Sequence, residues 1–85
     1  MYKLPRDLTD SDVVKALSKV GFKEVKSTGK HRKLKIPNYE KKDKNDRPPI
    51  VIVPRGRKMA LGTLSSIIKQ ARLTREVFLD LLKDP

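Results

Sequence analysis

The sequence contains no cysteine and no tryptophan, and among its 85 residues there is a single histidine, His31. Without cysteine the chain forms no disulfides and no thiolate metal sites, which is typical of proteins in a reducing compartment. One histidine and scattered acids do not provide the ligand spacing that a metal site needs. We therefore expect no metal and no cofactor.

Long hydrophobic runs are also missing. The apolar run Ile50–Val53 is far too short to span a bilayer, and no signal-peptide pattern opens the chain. At 85 residues the chain is expected to form one domain over residues 1–85, with a small core and no deep internal pocket. We expect a soluble, cytoplasmic protein that does not enter a membrane.

Acidic residues are scarce relative to basic ones: 21 Lys and Arg face 10 Asp and Glu, which gives a net charge of +11. The excess lies in two blocks, since Lys19–Lys35 holds seven cations and one acid and Lys41–Lys58 holds seven cations and two acids. Such blocks predict a surface for a polyphosphate, with RNA or DNA as the leading candidates. An ordinary solvated lysine-rich face is the alternative, and an anionic membrane is disfavoured because the blocks are not on an amphipathic helix.

Helix signals stand at both ends of the chain. Thr9 and Asp12 have the spacing of a capping box and Gly21 is a stop, which predicts a helix over Asp10–Val20. A second helix is predicted from Leu61 or Gly62 to Ala71. Thr74 begins a third, whose apolar stripe consists of Val77, Phe78, Leu81 and Leu82.

Three strands are predicted between these helices, over Phe22–Thr28, His31–Ile36 and Ile50–Val53. The last is apolar on both faces, so we expect it to be the most buried strand, with Pro54 ending its pairing. The polar stretch 38–48 is expected to be a mobile hairpin loop. The order α-β-β-β-α-α predicts an α+β fold in which helices cover one face of a three-stranded antiparallel sheet.

The stretch Ser27–Lys35 concentrates the unusual residues, because the lone histidine lies there among four cations directly after a glycine. Strand alternation places His31, Lys33 and Lys35 on one face and Leu34 and Ile36 on the other. The apolar pair can then face a core while the cations face an anion.

Several stretches, in order along the chain, resemble the HicA (YcfA-like) family of toxins, which have a double-stranded-RNA-binding-domain-like (dsRBD-like) fold. The matching features are Leu4-Pro5-Arg6, Gly21-Phe22, Gly29-Lys30-His31 in place of Gly-Ser-His, Val53-Pro54, and the segment from Leu61-Gly62-Thr63-Leu64 to Ala71. The last is the most specific of them.

The resemblance implies a messenger-RNA interferase, an endoribonuclease of a type II toxin-antitoxin pair, which is a monomer when free and is held inactive by a HicB-like antitoxin. His31 takes the position of the catalytic histidine, and histidine is the side chain whose ordinary pKa suits proton transfer near neutral pH. Candidate RNA-binding residues are Gly29, Lys30, Arg32, Lys33, Lys35, Arg55, Arg57 and Lys58.

The chain departs from the family pattern at three positions. Lys30 replaces the usual serine, Arg32 replaces a residue that is often a second histidine, and Arg55 stands where many relatives have a histidine after Val53-Pro54. With one imidazole, a two-histidine acid-base pair is excluded. A non-catalytic RNA-binding module of the same fold is therefore the alternative. DNA binding through a helix is disfavoured because the cations fall on strands and turns.

Overall fold

The computed structural model describes residues 4–5, 7–27 and 29–83. Within this part of the chain three helices and three strands follow one another as α1 (Asp10–Ser18), β1 (Lys23–Glu24), β2 (His31–Lys35), β3 (Ile50–Pro54), α2 (Leu61–Gln70) and α3 (Arg75–Lys83). The strands form one antiparallel sheet in the order β1-β2-β3. The predicted α+β fold is confirmed, including the order of its elements, and is consistent with a dsRBD-like fold. None of the described helices has the length and apolar character needed to cross a membrane.

Helix α1 begins with the predicted capping box. The Thr9 hydroxyl accepts a hydrogen bond from the Asp12 backbone N–H (3.1 Å), and the Asp12 carboxylate accepts one from the Thr9 backbone N–H (3.0 Å). These contacts satisfy backbone N–H groups at the helix start that have no partner within the helix. The helix ends at Ser18, two residues before the predicted end, and the chain reverses through Gly21, whose φ of +99° favours glycine.

Strand β3 is buried on one face only. Val51 and Val53 are fully buried, whereas Ile50 and Ile52 are 41% and 38% exposed. β3 is nevertheless the most buried of the three strands, as predicted, because β2 has one buried residue and β1 has none. Ile50 and Ile52 are exposed because the helices lie on one side of the sheet, which leaves apolar residues on its other side open to solvent.

Pro54 is the last residue of β3, as predicted. It lies opposite His31 in the ladder, and one further backbone bond follows it, from the Arg55 N–H to the Lys30 carbonyl at 3.0 Å. β3 is an edge strand, and in an antiparallel ladder alternate residues direct their backbone groups outward. The Pro54 nitrogen lies at an outward position, so the missing N–H costs no ladder bond.

Strand β1 is shorter than the predicted strand Phe22–Thr28. Only Lys23 and Glu24 form the strand, and one further ladder bond joins the Val25 N–H to the Lys33 carbonyl (2.8 Å). Thr28 in this prediction, and Arg6 in the segment before α1, lie outside the described residues. Phe22 precedes the strand and is buried in the core.

The core lies between the sheet and the helices. Its fully buried large side chains come from α1, β2, β3, α2, α3 and the segment before β1: Val13, Leu17, Phe22, Leu34, Val51, Val53, Leu64, Ile67 and Phe78. Helix α3 contributes less than predicted, since Val77 is 41% exposed and only Phe78 of its stripe is fully buried. The second face of the sheet is left uncovered by the described elements.

Candidate nucleic-acid interface

The uncovered face of the sheet, which we call the open face, carries His31, Lys33 and Lys35 from β2 and Ile50 and Ile52 from β3. Cross-strand partners lie on the same side of a sheet, and Lys33 pairs with Ile52 while Lys35 pairs with Ile50. Leu34 is buried on the other side, as strand alternation predicted. The open face therefore combines a row of cations, one imidazole and flat apolar surface.

His31 lies at one end of this face, at the first position of β2, and its side chain is exposed. The chain segment after β3 reaches the same end, because the Arg55 N–H is bonded to the carbonyl of Lys30. Lys30, just before β2, and Arg55, just after β3, thus lie beside the backbone of His31. The structure brings together residues that are about 25 positions apart in the sequence.

The segment Arg55–Lys58 is an exposed basic turn at the His31 end of the sheet. It carries Arg55, Arg57 and Lys58 and passes through Gly56, whose φ of +147° only glycine readily adopts. The turn is fixed to the start of α1, since the Gly56 carbonyl accepts a hydrogen bond from the Asp10 N–H at 3.0 Å. Three of the predicted RNA-binding residues are therefore held near the end of the sheet where His31 lies.

Arg32 lies on the helix-facing side of β2, not on the open face. Its guanidinium donates to both oxygens of Glu24 (Nε to Oε2 3.0 Å, Nη2 to Oε1 2.7 Å) and to Asp10 Oδ2 (3.0 Å). Its side chain is only 16% exposed. Arg32 thereby joins α1, β1 and β2, because a bidentate arginine pair has a defined geometry. That Arg32 contacts RNA stays a prediction, and its donors are engaged by protein carboxylates in the structure.

Asp10 positions the site, although the sequence marks it only as an acid at a helix start. One of its carboxylate oxygens accepts from Arg32, and the other accepts from the Gly56 N–H at 3.4 Å. Asp10 therefore links β2, next to His31, with the basic turn. No sequence signal indicates this, because the two partners lie 22 and 46 residues further along the chain.

Gly29 is not required by the protein's own fold in the way that Gly56 is. A Cβ at position 29 would meet no atom within 4 Å, and its φ lies outside the left-handed region. That a glycine here lets RNA come close to the backbone stays a prediction. Among the residues that the structure describes, no group of three or more histidine, aspartate or glutamate side chains could hold a metal ion.

The Arg32 cluster changes the pKa of two carboxyls. The Arg32 guanidinium, helped by the Ser27 hydroxyl, lowers the pKa of Glu24 from 4.5 to about 2, and Arg32 likewise lowers the pKa of Asp10. A carboxyl whose pKa is lower in the folded state binds its proton more tightly in the unfolded chain. Its stabilising effect is therefore complete above pH 4.5 and is lost as the pH falls toward 2.

We predict that Glu24→Gln lowers the melting temperature at pH 7 and flattens its dependence on pH between 5 and 2, because the variant lacks the carboxylate that Arg32 holds. The measurement is thermal unfolding across this pH range. Glu40→Gln, in an exposed loop position, is the matched control and should follow the wild-type curve. A wild-type melting temperature that is constant down to pH 2 would contradict the prediction.

Comparison with known proteins adds one finding to this geometry. A family model described as the HicA toxin of bacterial toxin-antitoxin matches residues 11–73. The matched segment contains most of α1, all three strands, the basic turn and α2, and it leaves α3 outside. No curated protein matches the sequence.

Proposed function

Since the chain belongs to the HicA toxin family of bacterial toxin-antitoxin systems, we propose that it is an mRNA interferase, a metal-independent endoribonuclease with His31 as its proton-transfer group. The observation that carries this proposal is the place of the lone histidine. His31 is exposed at the end of a cationic sheet face, beside a turn that carries further cations. A phosphate on this face would meet both positive charge and a group able to move a proton.

The proposed reaction uses the RNA's own 2′-hydroxyl. The 2′-oxygen attacks the adjacent phosphorus while the bond from phosphorus to the 5′-oxygen breaks, leaving a 2′,3′-cyclic phosphate and a 5′-hydroxyl. His31 would remove the 2′-hydroxyl proton or deliver one to the leaving 5′-oxygen. Lys33, which lies two positions from His31 on the same face of β2, would stabilise the charge that develops on the phosphorane. The second proton transfer falls to a lysine, to water or to the leaving group, because there is only one imidazole.

The test is cleavage of single-stranded RNA by purified protein in excess EDTA, with analysis of the product ends. We expect a 2′,3′-cyclic phosphate or 3′-phosphate on one fragment and a 5′-hydroxyl on the other. RNA with a 2′-deoxy nucleotide at the scissile position should resist cleavage, because it lacks the attacking group. Cleavage of that RNA, or products with a 5′-phosphate, would contradict the proposed chemistry.

A second candidate is a non-catalytic RNA-binding module. One observation favours it. The residue whose backbone N–H bonds to Lys30, next to His31, is Arg55 and not a second histidine. The same experiment separates the two functions. Binding of RNA without any cleavage would assign the chain to this second class.

The family implies an antitoxin as partner. We propose that this partner is acidic and covers the open face, because the uncovered sheet surface carries His31 together with Lys33 and Lys35. Complementary charge mainly raises the association rate.

We predict that the double charge reversal Lys33→Glu with Lys35→Glu slows association with the antitoxin roughly tenfold at low salt, and less at high salt. Stopped-flow or surface-binding kinetics at several salt concentrations would measure this. Lys15→Glu with Lys83→Glu makes the same charge change on helices α1 and α3 and serves as control. Equal slowing by both pairs, or a complex in which His31 remains accessible to solvent, would place the antitoxin elsewhere.

A further inference from the structure

A concave surface lies at the end of the sheet opposite His31. It is a solvent-open hollow of about 640 Å³ between the end of β2, the start of β3 and the loop that joins them. This volume falls within the range of small-molecule sites, about 300–1,000 Å³. Lys35, the last residue of β2, belongs both to the hollow and to the open face. The hollow therefore continues the surface on which His31 lies.

The loop that forms one wall is held by hydrogen bonds of its own side chains and of Arg72, although the sequence predicts a mobile loop. The Asp46 carboxylate accepts from the Tyr39 hydroxyl (2.8 Å) and from the Lys42 backbone N–H (2.9 Å). Arg72, just after α2, donates to the Tyr39 oxygen (3.0 Å) and to the Arg47 carbonyl. Asp43 closes the tip by accepting from two backbone N–H groups. These bonds give the hollow a defined shape before any ligand enters.

The lining of the hollow combines positive charge with flat surface. Four cationic residues line it, namely Lys35, Lys41, Lys44 and Arg47, while its one acidic residue, Asp46, is occupied by the hydrogen bonds of the loop. The Tyr39 ring and the side chains of Ile36 and Ile50 supply aromatic and apolar surface. The Asn38 amide offers both a donor and an acceptor. The positive charge suits a phosphate, and the stacking surface and the amide suit a nucleobase.

We propose that this hollow binds one nucleotide of a single-stranded RNA whose scissile phosphate lies at His31. The proposal rests on the proposed ribonuclease function and adds a specific subsite to it. Along β2, four residue steps separate His31 from Lys35, which is about 13 Å at ~3.3 Å per residue. At a stacked spacing of ~3.4 Å this corresponds to about four nucleotides, and to fewer for an extended strand. An RNA that is too short to reach the hollow is therefore expected to bind without the contacts that the hollow provides.

The experiment compares three RNAs. The short one has about two nucleotides on each side of the cleavage site, and the other two are extended by about six nucleotides, one on the 5′ side and one on the 3′ side. These lengths follow from the spacing of about four nucleotides between His31 and the hollow. The hollow lies at one end of the sheet only, so we expect one of the two extensions to lower KM and the other to have little effect. The variant is Lys41→Ala with Lys44→Ala, two exposed lysines of the loop. The control is Lys15→Ala with Lys83→Ala, which removes the same charge from the helical layer.

For the loop variant we expect KM of the extended RNA to rise roughly tenfold, a change of about 1.4 kcal/mol, with kcat unchanged and the short RNA unaffected. The plot of log K against log salt should become less steep by about 1.4, from ~0.7 for each of two lost phosphate contacts. The control pair should preserve the advantage of the extended RNA. Equal losses on short and extended RNA, or no advantage of extension in the wild-type protein, would overturn the proposal.

If the protein cuts no RNA, the same three RNAs are used in fluorescence-anisotropy binding, and the length-dependent gain in affinity is tested without chemistry. A gain that the loop variant removes supports the hollow even then. If the loop variant instead loses affinity for the antitoxin while the dependence on RNA length is unchanged, the hollow binds an acidic protein and the proposal is overturned.

Discussion

Replacing His31 with alanine is expected to lower the rate of RNA cleavage roughly 10²- to 10⁴-fold, which is the usual contribution of a positioned proton-transfer group. This expectation follows from the proposed role of the imidazole, since the sequence contains no second histidine to substitute for it. The rate is measured under single-turnover conditions with RNA in EDTA, so that product release does not hide the chemical step.

Folding and binding should change far less than the rate in the His31→Ala variant. The side chain is exposed, and the ladder bonds that hold β2 are made by the backbone. RNA affinity depends mainly on the number of phosphate contacts, and the cations of the open face and the basic turn are all retained. Circular dichroism and RNA titration of the variant check these two expectations.

Val25→Ala is a suitable control for this experiment. Val25 is 40% exposed and its N–H is bonded to Lys33, so the substitution alters the neighbouring strand without removing a charge or an imidazole. Cleavage by this variant should stay within a few-fold of wild type. If His31→Ala cuts RNA as fast as Val25→Ala does, the imidazole has no part in proton transfer and the assigned role is removed.

Local sequence signals account for much of the fold. The capping box at Thr9 and the stop at Gly21 bound α1 to within two residues, because the partners in these motifs are at most five positions apart. Alternation in β2 likewise places Leu34 in the core and His31 on the open face. Each of these inferences needs only the chain geometry of a few consecutive residues.

Other features depend on contacts that no local pattern encodes. A run of four apolar residues identifies β3 as the most buried strand, but it does not show which of its side chains face solvent. The exposure of Ile50 and Ile52 follows from the absence of a described layer on the second side of the sheet. Pro54 is tolerated in β3 because this strand lies at the edge. In the sequence Arg32 is one cation in a basic run. In the structure its side chain is held by Asp10 and Glu24, which lie on two other elements.

The contribution of helix α3 to stability also depends on contacts that are distant in the sequence. It lies outside the residues that match the family model, yet Phe78 is fully buried against the common core. We expect Phe78→Ala to destabilise the protein by about 3–5 kcal/mol, through lost transfer free energy and the cavity left behind. Because small domains have only about 5–15 kcal/mol in total, this is a large fraction of the stability.

Val77→Ala provides the matched comparison, since the two residues are neighbours in α3 and Val77 is 41% exposed. The hydrogen bond from the Val77 N–H to the Thr74 hydroxyl uses the backbone and survives in this variant. Its stability should stay within about 0.5 kcal/mol of wild type. At roughly 4–8 °C per kcal/mol, Phe78→Ala should melt at least about 12 °C below wild type. Thermal and urea unfolding of the three proteins measure this difference, and similar losses at both positions would show that α3 is not docked on the core through Phe78.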